Sequence, residues 1–407
     1  MRAIALLIVL LVVGCGRQPS LETQPTELPS PAGPGSSLPH LAASPAGTLA
    51  LSWVEPAGAG ESALKFSQFD GERWAAARIV AQGADWFLNW ADFPSVVPID
   101  ETHWAAHWLV KRKGGTYAYD IALAVSNDGG ARWSAPITPH LDGTATEHGF
   151  VSLFPASGSL AAAWLDGRET GGSSHEDHGA QAETGAMTLR AARIGFDGSL
   201  REQYLVDERV CDCCQTAAAG LNEGGLLAYR DRDEGELRDI SIVRFEGSGW
   251  RKLAGPAPDG WRIEGCPVNG PAIDSAGPHV ALAWFTAADG NARVRLALSN
   301  DVGESFADPV EIAGPPALGR VDVVALGEGG AIVSWLEATD DGATINWRRV
   351  DGKSRPGPVQ SLARTTAARS SGFPQMERRG QDLVFAWTAA GEPSSVRTAI
   401  LTGALAD

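Results

Sequence analysis

Apolar positions along this chain come in short runs, and the runs repeat one unit. A strand-length stretch leads into a turn built on Gly or a polar pair, and a run of small apolar residues follows and closes on an aromatic. The unit reads HLAASPAGTLALSWVE around Trp53 and LFPASGSLAAAWLD around Trp164, and it returns at Trp108, Tyr229, Trp284, Trp335 and Trp387. Successive aromatics lie 55, 56, 65, 55, 51 and 52 residues apart. Short alternating runs predict strands, and self-similarity at this spacing predicts one supersecondary unit per repeat.

Two more strands complete each unit, joined by a tight acidic turn. These turns are Asp70-Gly71, Asp128-Gly129-Gly130, Asp197-Gly198, Glu246-Gly247, Asp301-Val302-Gly303 and Asp351-Gly352. Gly supplies positive φ, and Asp bonds its own backbone, as hairpins require. Four strands per unit predict an all-β fold, a β-propeller of four-stranded antiparallel blades. Seven blades are expected, with six as the alternative count. The seventh unit lacks a fourth strand after Leu401, so a segment near Ser30–Ser37 is expected to close it.

The chain begins MRAIALLIVLLVVGCG, with one Arg ahead of an apolar run too short to span a bilayer. Residues 1–14 therefore read as a signal peptide. Val12-Val13-Gly14-Cys15 resembles the bacterial lipobox, which implies cleavage before Cys15 and its acylation, palmitate included. Gly16, where Asp would retain the protein at the inner membrane, implies sorting to the outer membrane. Residues 15–37, rich in Pro, Ser, Gly and Thr, are expected to form a tether, and 38–407 the propeller. Net charge is −16 with no basic stripe, which excludes nucleic acid as a partner.

Two of the acidic turns carry more. Ser126, Asp128, Gly130 and Trp133, and again Ser299, Asp301, Gly303 and Phe306, stand at the offsets of the Asp box. On these residues and the blade rhythm the chain resembles the sialidase-like, Asp-box (BNR-repeat) propellers. The resemblance implies structural roles for both boxes, with Asp128 and Asp301 bonding turn amides and the aromatics packing between strands. Sialidase blades usually number six, whereas seven aromatic strands are present here.

In an up-and-down blade the acidic turns share one rim, and the loops entering first strands and leaving second strands share the other. That top rim gathers Trp86, Asn89, Trp90 and Asp92 from residues 81–93, and His140, Glu147 and His148 from 140–149. It also gathers Asp166, Arg168, Glu169, His175, Glu176, Asp177 and His178 from 166–185, then the loops 208–215, 230–239 and 259–270, and Arg320 with Asp322. Trp86, Trp90, Arg168, Arg230 and Arg232 are the ligand-binding candidates, because such loops on a rigid scaffold carry function.

Cys211, Cys213 and Cys214 stand where blade four begins and Cys266 where blade five begins, so neighbouring first strands bring the four together. Disulfides suit an exported chain. Copper or zinc is the alternative, with His175 and His178 as further candidate ligands.

Catalysis on a sialidase pattern implies an Arg triad, a late Tyr nucleophile with a Glu partner, and an Asp acid/base. The early Arg-Ile-Pro is absent, since blade one begins LPHLAAS, and no Tyr follows Tyr229. Exo-sialidase activity is therefore not expected. Asp166, Arg168, Arg230, Asp231, Arg320 and Asp322 remain candidates for an altered glycosidase-like chemistry, or for structural ion pairs. The leading expectation is an envelope lipoprotein, anchored to the membrane, that presents its top rim to a glycan, peptide or envelope protein. The alternatives are a sialidase-related enzyme and an extracytoplasmic copper or zinc binder.

Overall fold

A computed structural model describes residues 24–171 and 185–405. Seven antiparallel sheets follow one another along the chain, six of four strands and one of three. Blade one runs from Ser37–Ala43 to Arg78–Gly83, blade three from His148–Ala156 to Leu200–Asp207, and blade four from Ala217–Gly220 to Trp250–Lys252. Blade five runs from Ala272–Ala276 to Val310–Ala313 and blade six from Ala317–Ala325 to Gln360–Thr365. Blade two, Ser95–Pro98 to Tyr119–Ser126, has only a single bridge, Leu123 to Ile137, where a fourth strand would lie. First strands of successive blades pack side by side around the axis, and Gln375–Arg379 of blade seven returns to Ser37–Ala43 of blade one. The expected seven-bladed propeller is the fold.

All seven repeat aromatics fall on second strands. Trp53, Trp164, Trp284 and Trp335 are at most 1% exposed, so truncating any one to Ala would cost about 3–5 kcal/mol. Their indole N–H groups need acceptors, and in three blades the repeat supplies one two residues on. Trp53 donates to Glu55 at 2.8 Å, Trp164 to Asp166 at 2.8 Å and Trp335 to Glu337 at 3.0 Å. A Trp-x-acid signal is thus part of the blade itself.

All six acidic turns join third to fourth strands or follow the third. Ser126 Oγ donates to Asp128 Oδ1 at 2.9 Å and accepts from Gly130 N, while Asp128 Oδ1 takes the Arg132 amide at 2.8 Å. Ser299, Asp301, Gly303 and Ser305 repeat these bonds at 2.7, 2.9 and 2.9 Å. Trp133 meets Phe66 edge-on at 6.0 Å, and Phe306 packs on the core between blades four and five. Gly130 has φ +75°, and a Cβ there would lie 2.7 Å from the Phe66 ring, so no other residue fits.

Blade seven is closed by an N-terminal strand, but not by the expected segment. Thr26–Leu28 pairs with Ser395–Leu401, with Thr26 opposite Ile400 and Leu28 opposite Thr398. The sheet therefore begins twelve residues before the expected boundary at 38, and Thr26–Leu28 belongs to the propeller rather than to the stretch expected to form a tether. Three residues bearing one Leu give too little periodicity to stand out from a Pro-rich stretch; the exposed edge of the last blade defines them as a strand. Residues 30–37 instead carry the chain from blade seven to blade one. The signal segment, Cys15, His175, Glu176, Asp177 and His178 lie outside the described residues.

Candidate functional site

The cysteine loop is held by main-chain bonds before any thiol chemistry arises. Val210 N donates to Met187 O at 2.9 Å and Cys211 N to Arg230 O at 3.0 Å. Gln215 stitches the far end, donating to Ala91 O at 2.8 Å and accepting from Gly270 N at 3.0 Å. A Cβ on Gly270 would sit 2.1 Å from Gln215 O, so glycine is what lets the Cys266 loop approach. The result is that the Sγ atoms of Cys211, Cys213 and Cys214 all lie within 4.8 Å of one another, buried at 1%, 8% and 1% exposure. Cys266 is exposed, and its thiol adjoins that of Cys213.

One thiol in this group is biased toward the thiolate. Burial pushes Cys211 up, but hydrogen bonds from Cys213 and Cys214 and the Arg238 guanidinium outweigh it and hold it well below the ordinary thiol range. Arg238 Nη1 lies 3.4 Å from Cys211 Sγ, itself braced by Glu236 at 2.7 Å. The same bonds to the Cys211 sulfur raise Cys213, and burial raises Cys214, so these two are donors toward a single anion. Asp212 turns away and accepts from Arg232 Nη1 at 3.0 Å on both oxygens.

The candidate arginines are mostly committed internally. Arg230 is 1% exposed; it donates to the carbonyls of Asn269, Arg238 and Phe285 at 3.0, 2.6 and 2.7 Å and lies 4.8 Å over the Trp261 ring. Arg320 is caged by Ala367, Ala368, Ser371 and Gly372, and burial lowers it to about 10. Arg232 is shared between Asp212 and Glu236. These three join blades and loops, and their guanidinium groups are engaged by neighbouring carbonyls and acids. Arginine reaches main-chain carbonyls readily, and buried carbonyls must be satisfied.

The two tryptophans part company. Trp86 is 6% exposed and stacks on Trp108 at 5.9 Å inside the blade-one and blade-two core. Trp90 stays on the rim, stacked on Phe373 at 5.6 Å with the Arg320 guanidinium 4.7 Å from its ring.

The carboxylate candidates also link elements. Asp231 accepts from Ser241 at 2.7 Å and Lys252 at 2.8 Å. Asp322 takes the amides of Val323 at 2.8 Å and Met376 at 2.6 Å, joining blade six to blade seven, and its enclosure raises it to about 7. Asp166, fully buried, holds Trp164 and, at 2.7 Å twice, Arg168.

Two groupings were not read from the sequence as sites. Tyr119, on the third strand of blade two, donates to Glu147 at 2.7 Å and lies 3.1 Å from Asp92, with all three buried. Burial and the adjacent carboxylates raise the Tyr119 phenol well above its ordinary value, the opposite of what a phenolate nucleophile requires. Beside it, His140 and His148 stack in parallel with centroids 3.7 Å apart, between Asp120, Asp142 and Asp166. His140 and His148 had been placed on one rim, but that the acids come from three different segments is visible only in the fold.

No protein-family model matches the chain, and no curated protein matches it. Among solved structures, a Dyadobacter fermentans protein of unknown function aligns at 13% identity over 93% of this chain and 97% of that one, with a TM-score of 0.49. A Trypanosoma rangeli sialidase aligns at 13% identity over 81% of this chain and 57% of its own, with a TM-score of 0.48. A Streptococcus pneumoniae sialidase aligns at 10% identity over 93% and 94%, with a TM-score of 0.44. Identities this low assign no residue of the present chain a role, and its site rests on its own geometry.

Proposed function

We propose that this chain is an exported lipoprotein, anchored through acylated Cys15, whose propeller binds a soft metal ion, copper(I) or zinc, in the thiol cluster at its top rim. The observation that carries the reading is the convergence of the Cys211, Cys213 and Cys214 sulfurs within 4.8 Å of one another. Thiolates are soft ligands with bonds of about 2.3 Å to zinc, and sulfurs on one ion lie at such separations. Arg238 favours the first thiolate, and a bound cation would draw the protons from the other two. Cys266, exposed beside Cys213, supplies a fourth ligand or a route by which the ion arrives. The rim arginines are spent on carbonyls and internal acids, which supports an ion over a carboxylated glycan as the ligand.

Full-length protein purified anaerobically in detergent tests this. One equivalent of copper(I) or zinc is expected by metal analysis after dialysis, and Cys211→Ser and Cys214→Ser should each abolish it. Four titratable propeller thiols with no retained metal would overturn the proposal.

The contact between Cys213 and Cys266 favours a second reading, a disulfide. Joining the two sulfurs removes two electrons and two protons, which a thiol–disulfide oxidase of the envelope would accept. Non-reducing peptide mapping of air-exposed protein would find the Cys213–Cys266 link under this reading and no such link under the first.

A further inference from the structure

A second, harder site lies under Arg168, remote in chemistry from the thiols. His148 is fully buried, on the first residue of blade three, and its ring has two distinct ends. Nδ1 lies 3.1 Å from the Tyr119 carbonyl oxygen, which can only accept, so Nδ1 carries a proton. Nε2 is the other end of the ring, and its lone pair is what the ring offers a metal ion. It is buried, has no hydrogen-bond partner, and faces Asp142 Oδ2 at 3.3 Å and Asp166 Oδ1 at 3.8 Å. His148 Nε2 thus meets two carboxylate oxygens whose donors come from elsewhere: Arg168 Nε at 2.7 Å from Asp166 Oδ1, and Arg168 Nη2 and His140 Nδ1 at 3.2 Å from Asp142 Oδ2.

His140 does not fill the gap. Its Nε2 accepts from Ile121 N at 3.3 Å, so its proton sits on Nδ1 and goes to Asp142 Oδ2 at 3.2 Å. Its role is to orient Asp142, whose other oxygen takes Thr144 N at 2.8 Å. The flat stacking of the two rings fixes the height of Nε2 relative to that carboxylate.

We propose that His148 Nε2, Asp142 Oδ2 and Asp166 Oδ1 form a three-ligand site for a borderline divalent cation such as Zn²⁺ or Co²⁺. Bonds of about 2.1 Å place ligand atoms roughly 3.4 Å apart around a tetrahedral ion, which the observed separations bracket. A ligating histidine normally gives its other N–H to a carbonyl, as His148 does to Tyr119, and ligating carboxylates are themselves hydrogen-bonded, as Asp142 is by His140 and Thr144. Arg168 is the competing cation. Its Nη2 lies 3.2 Å from Asp142 Oδ2 and 2.7 Å from Asp166 Oδ2, and its side chain is 16% exposed, so it can withdraw to solvent as the ion arrives. The fourth position is left for water or a ligand atom on the rim.

The experiment separates this site from the thiols. Full-length chain carrying serine at Cys211, Cys213, Cys214 and Cys266 is titrated with Co²⁺ in detergent and followed by equilibrium dialysis and visible absorption. One equivalent is expected, with weak ligand-field bands and no sulfur-to-cobalt charge transfer. His148→Ala should cost at least the ~10- to 100-fold that losing a supporting hydrogen bond costs, and Arg168→Gln should tighten binding. If the cysteine-free chain does not fold, the parent chain answers the same question: His148→Ala should remove a nitrogen- and oxygen-bound equivalent while sparing any sulfur-bound one. No stoichiometric binding without thiols, or binding indifferent to His148→Ala, would overturn the proposal, whatever the fate of the thiol site.

Discussion

Arg238 Nη1 stands 3.4 Å from Cys211 Sγ, and both groups are buried, at 2% and 1% exposure. A guanidinium at that distance inside the protein stabilises the thiolate over the thiol, against the burial that opposes any charge there. Under the proposed function, Cys211 is the sulfur on which metal binding starts.

Arg238→Gln should therefore raise the pH at which the Cys211 thiolate forms. Thiolate absorbance in the ultraviolet, followed through a pH titration of the reduced protein, reads this directly. Soft-metal affinity should fall by ~10-fold, the scale of losing one supporting contact to a ligand. An unchanged titration midpoint would mean that Cys213 and Cys214 alone set the state of Cys211.

Closure of the ring predicts a second effect. Thr26–Leu28 supplies the outer edge of blade seven, where Leu28 packs against the core shared by blades seven and one and Leu28 O accepts from Thr398 at 3.2 Å. A chain starting at residue 29 should be less stable than one starting at residue 24 by about 2–4 kcal/mol, from the lost apolar contact and ladder bonds. Glu27→Gln, which removes only the exposed pairing with Arg397, should change stability by less than ~0.5 kcal/mol. Urea denaturation of the three chains checks both, and equal losses would place the closure in the ion pair rather than in the strand.

A pH dependence follows from Asp92. Burial raises it to about 8, partly offset by the Phe150 amide at 2.7 Å, so it is protonated in the folded chain at neutral pH. The unfolded chain loses that proton near the ordinary carboxylate value. Between there and about pH 8 the folded state binds the extra proton, so stability falls as pH rises through the window. Asp128, Asp301 and Asp351, which turn amides and Arg or Ser side chains hold down at about 2, act with the opposite sign and only in acid. Asp322 and Glu377, raised by burial to about 7 and 8, add to the decline, and His40, His107 and His140, lowered by burial, oppose it below the ordinary histidine value. The Asp92 contribution is therefore read as a difference: between pH 5 and pH 8 the melting temperature of Asp92→Asn should fall less, or rise more, than that of the parent chain, and parallel curves would remove Asp92 as a source.

The amino-acid sequence by itself determined the wheel: seven aromatic second strands at even spacing, and six acidic turns that each follow a third strand. Such features are local, since alternation, turn chemistry and Gly at positive φ act within a few residues of one another. It also brought the four cysteines to one rim, because the spacing of the blades carries that much geometry. Tertiary structure alone decided what each polar side chain faces. Arg230 and Arg320 read as rim residues in one dimension, and they turn inward because carbonyls of neighbouring segments need donors. Asp142, His148 and Asp166 share no motif, yet a loop and the end of the next strand bring them to one point. The three-residue strand at Thr26 exists only because blade seven leaves an edge unpaired at the far end of the chain. Contacts of that kind join residues tens to hundreds of positions apart, and no local pattern records them.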